Sequence, residues 1–438
     1  MKPILLFVLL LLKLVLAPAV AVQIESWKTD NGVPVLFIET HHLPIVDLRL
    51  GFRAASSRDG DLPGIAKLVN GLLVEGTAEL SAQQIALEFE QVGALLGHQS
   101  NRDMAWTGLR SLSDSAKLDA VVDLLGRVTA LPSFPLAALE RDRRSLLANL
   151  AERQKRIASI ASDHFNQALY ENHPYQYSAA GQKASIEAIT IDDLVKFHRR
   201  YYVAENASLA IVGDLTMSQA KHYANRVTRY LPEGEVAAAL PVPKQTREKT
   251  LFVNFATEQS RIKIGMPLIS RRDPDYFIFM LGNHVLGGNG SNSRLMQIIR
   301  EERGLSYDVY SYIVPMESLG AFEIGLQTRN HQVDEALSLL DEALHDFIQY
   351  GPSEKELEQA RKNIIGGFAL RLDSNRKLLE QLSVMGFYQL PLDYLDDYRR
   401  QIESVTVDDI RRVFQKRIKP ERMIRVIIGP RKKGDETG

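Results

Sequence analysis

The chain has 438 residues, 45% of them hydrophobic and 24% charged, enough for two domains of about 200 residues each. A net charge of −1 excludes a bulk electrostatic drive towards nucleic acid or acidic membranes. With no cysteine the chain can form no disulfide, no thiolate metal site and no lipid-modified cysteine.

Lys2 gives a positive start, and Ile4–Leu16 is an apolar run broken only by Lys13. Ala17, Pro18, Ala19, Val20 and Ala21 follow as a small-residue site. This pattern predicts a secretory signal over residues 1–21, cleaved after Ala21, with a retained membrane anchor as the alternative. The run is short and interrupted for a bilayer span, and no later stretch is long and apolar enough. The mature chain is expected to be exported, with no transmembrane segment.

In residues 22–231, Gly32–Glu39 and Ile45–Phe52 alternate like strands in a hairpin-like arrangement. Gly64–Thr77 reads as an amphipathic helix. Ile65, Leu68, Val69, Leu72 and Leu73 face the core, and Lys67, Asn70 and Gly71 share the opposite face. Ser81 opens a capped helix that runs to Gly93. His173, before Pro174, is expected to be a turn residue rather than a metal ligand.

Residues 232–248 are rich in proline and charge and predict a linker. In residues 249–432, Gly287–Gly290 permits a tight bend before a helix over Ser293–Arg303; no Gly-Lys-Ser/Thr follows, so it is no phosphate loop. Tyr307–Val314 and Ala321–Gln327 read as paired strands. Gln332–Tyr350 forms a helix with Val333, Ala336, Leu337, Leu340, Leu344 and Phe347 on one face. Ser353 caps the next helix, and residues 433–438 form a tail.

The chain repeats itself. Ser185–Gly213 aligns with Gln401–Gly429 without a gap at an offset of 216 residues. Ile186, Glu187, Thr190, Asp192, Asp193, Glu205, Ile211 and Gly213 all meet identical residues. Thr-x-Asp-Asp starts a helix in both copies, because the threonine caps it and the carboxylates favour its positive end. An offset this long predicts duplicated domains rather than a solenoid. The expected fold is α+β: two homologous domains, each a mostly antiparallel sheet packed with helices.

The helix around Lys67 and the strand before it resemble the active-site region of the pitrilysin/insulinase zinc peptidases. That family carries an inverted zinc motif, H-x-x-E-H, in which both histidines bind the metal and the glutamate is general base. The resemblance puts the first His on Lys67, the Glu on Asn70 and the second His on Gly71. It puts the third ligand, a glutamate on a later helix, on Asn149. Lysine repels a cation, asparagine is a poor ligand and no base, and glycine offers no donor. No pair of the ten histidines has a spacing that rescues the site, and no serine or cysteine nucleophile motif is present. By itself the chain is expected to be no enzyme and to hold no cofactor.

Asn283–Tyr307 resembles the signature of the family's C-terminal half, in which an Arg and a Tyr bind the substrate backbone near the zinc of the active centre. Arg300 and Tyr307 hold that spacing. The resemblance spans Ile24–Gly429 and implies a processing-peptidase-like fold. It further implies a periplasmic, non-catalytic subunit that lends Arg300 and Tyr307 to a zinc-bearing H-x-x-E-H homologue in a heterodimer acting on peptides. A stand-alone peptide-binding or scaffolding protein of the envelope is the alternative.

Overall fold

The computed structural model describes residues 23–430. The expected signal segment, residues 1–21, and the tail, residues 433–438, lie outside the described residues.

The first half runs through β1 (Glu25–Lys28), β2 (Pro34–Glu39), β3 (Ile45–Phe52), α1 (Ile65–Leu72) and α2 (Ala82–Gln91). β4 (Leu95–Ser100) and β5 (Ala105–Leu112) follow. After them come α3 (Ser115–Ala130), α4 (Leu136–Arg153), α5 (Ile157–Leu169), α6 (Lys183–Ala188) and α7 (Ile191–Tyr201). β6 (Ala207–Gly213) and α8 (Met217–Thr228) complete it. Residues 232–248 contain no helix or strand.

The second half begins with β7 (Lys249–Asn254), β8 (Gln259–Ile269) and α9 (Tyr276–Asn283), then π-helical turns at His284–Gly288 and Met296–Glu302. β9 (Ser306–Ile313) and β10 (Gly320–Arg329) precede α10 (Val333–Tyr350), α11 (Glu354–Phe368) and α12 (Asn375–Tyr388). α13 (Tyr394–Ser404), α14 (Val407–Arg417) and β11 (Ile424–Gly429) end it.

The sheets have the orders β1-β2-β6-β3-β5-β4 and β7-β11-β8-β10-β9. Leave out β1 and the two are the same sheet, with β2–β6 and β7–β11 as the parallel pairs and the rest antiparallel. The repeat seen in the sequence is therefore structural. Thr190 and Thr406 cap α7 and α14, each accepting from the backbone N–H of an aspartate three residues on. That aspartate in turn accepts from the threonine N–H, at 2.9 Å for Asp193 and 3.1 Å for Asp409. The helix expected from Gln332 and the strands around Tyr307 and Ala321 all form.

Two expectations need correcting. The strands at residues 34–39 and 45–52 form but are not hairpin partners, because β6 lies between them. Nor do they alternate: the interior of β2 is buried throughout, and β3 is buried at every residue but Ile45 and Arg49. The cause is that the central strands are covered on both faces.

The second cover comes from the opposite half. α5 of the first half lies on the second sheet, where Ala161, Phe165 and Leu169 pack with Ile424, Val426 and Ile428 of β11. α12 of the second half lies on the first sheet, where Leu379, Leu382 and Met385 pack with Leu36, Ile38, Ala210 and Val212. Gly265 of β8 provides the space for this exchange: a Cβ there would sit 2.9 Å from the Phe165 ring.

A polar node fixes the same junction. Buried Asp103 accepts from the Tyr175 hydroxyl at 2.7 Å, the Tyr388 hydroxyl at 2.9 Å and the Glu317 N–H at 2.6 Å. Glu317 is itself held by Arg53 and Arg58. His173 caps its own turn through Nδ1 and donates from Nε2 to the Pro241 carbonyl at 2.8 Å, which ties the linker down.

Because the two halves share these layers, truncating Phe165 should weaken both. Phe165→Ala is expected to lower stability by about 3–5 kcal/mol while leaving one cooperative transition in denaturant. Two separated transitions, with only one displaced, would show the halves to be independent.

A second prediction concerns acid. Buried His198 donates from Nε2 to the Thr129 carbonyl at 2.8 Å and stacks on Tyr202, and burial pushes its pKa down to about 4. Below pH 6.5 the unfolded chain takes up a proton that the folded chain refuses until about pH 4, so stability falls across that window. His198→Gln keeps the donor and removes the titration. Its loss of stability between pH 7 and pH 4.5, followed by denaturant midpoint, should be smaller than the parent's by up to about 3 kcal/mol.

Candidate functional site

α1 begins in tight quarters. Gly64 has φ +107°, and a Cβ there would lie 3.1 Å from Gly181 Cα, so glycine suits the position on both counts. The first amides of the helix are satisfied from outside it: Asp59 accepts from Gly64 N–H at 2.7 Å and Ala66 N–H at 3.0 Å. Burial pushes the Asp59 carboxyl up to about 7, against those two bonds. The helix ends at Leu72, a turn and a half short of the expected Thr77.

The structure separates the three positions expected to share one face. Lys67 is exposed and Gly71 half-buried, whereas Asn70 is only 2% exposed. Asn70 Nδ2 donates to the Trp106 carbonyl at 3.2 Å and to the Tyr202 hydroxyl at 3.4 Å. The physical reason is packing on several sides. α1 touches β4 and β5 as well as α4 and α7, so the apolar stripe is wider than one face and Asn70 falls on its edge.

Asn149 is exposed on α4. Asp142 of α4 lies beside α1, its Oδ2 3.7 Å from the place a Gly71 Cβ would occupy. Arg141 beside it pairs with Glu75 at 2.8 Å. His98 of the outer strand β4 lies within the field of Glu75 and Asp142, and burial lowers its pKa against both. Sequence reasoning missed these neighbours. Asp142 was reachable, since it stands two helical turns before Asn149 on the same side of one helix.

The donors at these positions do not suit zinc. Lys67 presents a cation, Asn70 spends its amide hydrogens on the sheet, and Gly71 has no side chain. Among the described residues no group of three or more His, Asp or Glu side chains is placed to hold a metal ion.

In the second half, Gly287–Gly290 bends the chain as expected. A Cβ on Gly287 would lie 2.4 Å from the Ser311 nitrogen, and Gly290 has φ +52°. The segment expected as a helix to Arg303 is π-helical over Met296–Glu302 and carries Arg300. Tyr307 opens β9, the outer strand of its sheet. The two side chains meet, with the guanidinium carbon 4.7 Å from the centre of the Tyr307 ring. Tyr307 is 83% exposed. Both border an open cavity of about 620 Å³ whose lining, including Arg261, Asp308 and Arg329, belongs wholly to the second half. No residue of α1 or α4 reaches it.

No helix among the described residues is long and apolar enough to cross a membrane.

Comparison with known proteins agrees with this geometry. Residues 35–183 match insulinase (peptidase family M16), and residues 188–364 match the peptidase M16 inactive domain. A non-peptidase homolog, YmxG, from Helicobacter pylori is 29% identical over 383 residues, 86% of this chain and 87% of that protein. The mitochondrial-processing peptidase subunit beta of Lentinula edodes is 25% identical over 421 residues, 90% of this chain and 87% of that protein. The crystal structure of a peptidase M16 inactive domain from Pseudomonas fluorescens superposes with a TM-score of 0.90 at 37% identity, covering 94% of this chain and 98% of that one. With both halves matched and the duplicated sheet in place, the chain belongs to peptidase family M16, the insulinase family.

Proposed function

We propose that the chain is the non-catalytic, substrate-binding subunit of a heterodimeric periplasmic zinc peptidase that acts on peptides. The observation that carries this reading is the Arg300–Tyr307 pair, brought together beside an open cavity with the tyrosine 83% exposed. An exposed phenol and a guanidinium fork are donors suited to peptide carbonyl oxygen, and at a zinc centre they would stabilise a developing oxyanion. A protein that serves only as a scaffold has no use for such a pair.

The cavity beside the pair has no α1 residue in its lining, which suits donation of the pair to another subunit's metal. In that arrangement zinc and the general base come from an H-x-x-E-H homologue, since Lys67, Asn70, Gly71 and Asn149 supply neither. The relative named a non-peptidase homolog is in keeping with this division of labour. An extended peptide can add to an outer strand, and β4 and β9 are the free-edged strands nearest α1 and Tyr307 respectively.

Metal binding tests the assignment of the degenerate positions. Asn70 is buried and hydrogen-bonded, so it stays unchanged. Lys67→His, Gly71→His and Asn149→Glu together should give a folded protein that takes up about one zinc per chain by elemental analysis, while the parent takes up none. Replacing Gly71 also removes a helix penalty of about 1 kcal/mol. A folded, metal-free triple variant would mean that the third ligand has been placed on the wrong residue, and stoichiometric zinc in the parent would refute the reading.

Turnover tests the pair. In a complex reconstituted with its catalytic homologue, Tyr307→Phe should leave assembly intact by gel filtration and slow peptide cleavage about 100- to 1000-fold, or roughly 2.7–4 kcal/mol. Arg300→Ala should weaken peptide binding as well. Near-normal cleavage by both variants would favour a stand-alone scaffolding role.

A further inference from the structure

A second donor-rich site lies away from Arg300 and Tyr307, at the junction of the two halves. Arg271 stands two residues beyond the end of β8. It is half-buried and has no carboxylate partner among the described residues, unlike neighbouring Arg417, which holds Asp273 and Asp275. Its Nη1 donates to the Tyr276 hydroxyl at 3.1 Å and its Nη2 to the Tyr394 hydroxyl at 3.4 Å, while its buried Nε has no partner.

The Arg271 guanidinium also lies against both rings, its central carbon 4.9 Å from the centre of Tyr276 and 6.0 Å from that of Tyr394. Both tyrosine hydroxyls accept from Arg271. The two phenols line a neighbouring cavity that also carries Asp273, Asp393 and Asp397, so they hold the fork from that side, and what the group brings towards the linker is the guanidinium alone. Arg272, exposed and also without a carboxylate, lies next to it.

Arg271 and Arg272 border a cavity of about 380 Å³ between the linker, the β9–β10 turn and the end of α12. Its one lining carboxylate, Glu317, is already taken up by Arg53 and Arg58. The remaining walls include Leu240, Val242, Leu319 and the Tyr388 ring. Two guanidinium groups that line this cavity beside apolar walls and make no ion pair among the described residues suit an oxyanion attached to an apolar body.

We propose that this cavity is a binding site for a carboxylate carried on an apolar residue, as at the C-terminal end of a peptide. Arg271 grips the carboxylate with the tyrosine hydroxyls fixing the fork, Arg272 supplies the second charge, and the apolar side chain lies against Leu240 and Leu319. The site shares no lining residue with the Arg300–Tyr307 cavity, so it stands whether or not that pair serves a partner.

Calorimetric titration of the full chain with acetyl-Ala-Leu, its C-terminal amide and inorganic phosphate tests it. The free acid should bind, and both the amide and phosphate should bind at least about tenfold more weakly. Arg271→Lys and Arg272→Gln should each weaken the acid about tenfold or more. Arg272 is exposed, so its variant reports on the site even if Arg271→Lys fails to fold. Equal binding of acid and amide, phosphate binding as tight as the acid, or acid binding unchanged in the folded variants would overturn the proposal.

Discussion

The structure depends on an exchange of helices. Each half builds a sheet with helices of its own on one face, and the other face is covered by a helix from the opposite half, α5 in one direction and α12 in the other. A sheet with one naked apolar face is not stable in water, so neither half buries its core alone. The linker is pinned into the same junction, through Pro241 and through Ala238, whose carbonyl accepts from Arg58 at 2.6 Å. A duplication that in sequence looks like two domains in series is, in energetic terms, one interlocked body.

That interlocking lets α1 keep its place without a metal. α1 is held by its apolar stripe, by Asp59 at its start and by contacts with two strands and two helices; none of these needs a metal. Asn70 is part of that framework, since its amide donates to the Trp106 carbonyl and the Tyr202 hydroxyl in a buried place. The exposed positions Lys67 and Asn149 carry no such duty. The second half kept its polar equipment at the surface, with Arg300 and Tyr307 on the outer strand's end of the sheet and Arg271 and Arg272 at the junction.

Much of this was legible in the sequence. The 216-residue offset between Thr190 and Thr406 foretold equivalent helices, and the capping chemistry is local, so residues three apart suffice to specify it. The spacing of Arg300 and Tyr307, taken with the resemblance to the insulinase family, marked them as a pair, and the fold places them in contact. The helix at residues 333–350 and the β9–β10 pair follow from periodicities of 3.6 and 2, which the chain expresses without reference to distant partners.

What the sequence could not express was decided by contacts between residues far apart in it. β6 separates β2 from β3, and Asn70 is drawn inward by Trp106 and Tyr202 of its own half, while the apolar strands β2 and β6 are buried on a second face by α12 of the other half. The same holds for Arg271, whose lack of a carboxylate is visible only once Tyr276, Tyr394 and the linker stand around it. Caps, helices and the duplication are short-range or periodic, so the amino-acid sequence determined them by itself. Which faces are covered, and which cations are left without a partner, depends on packing between the halves, and only the tertiary structure decided it.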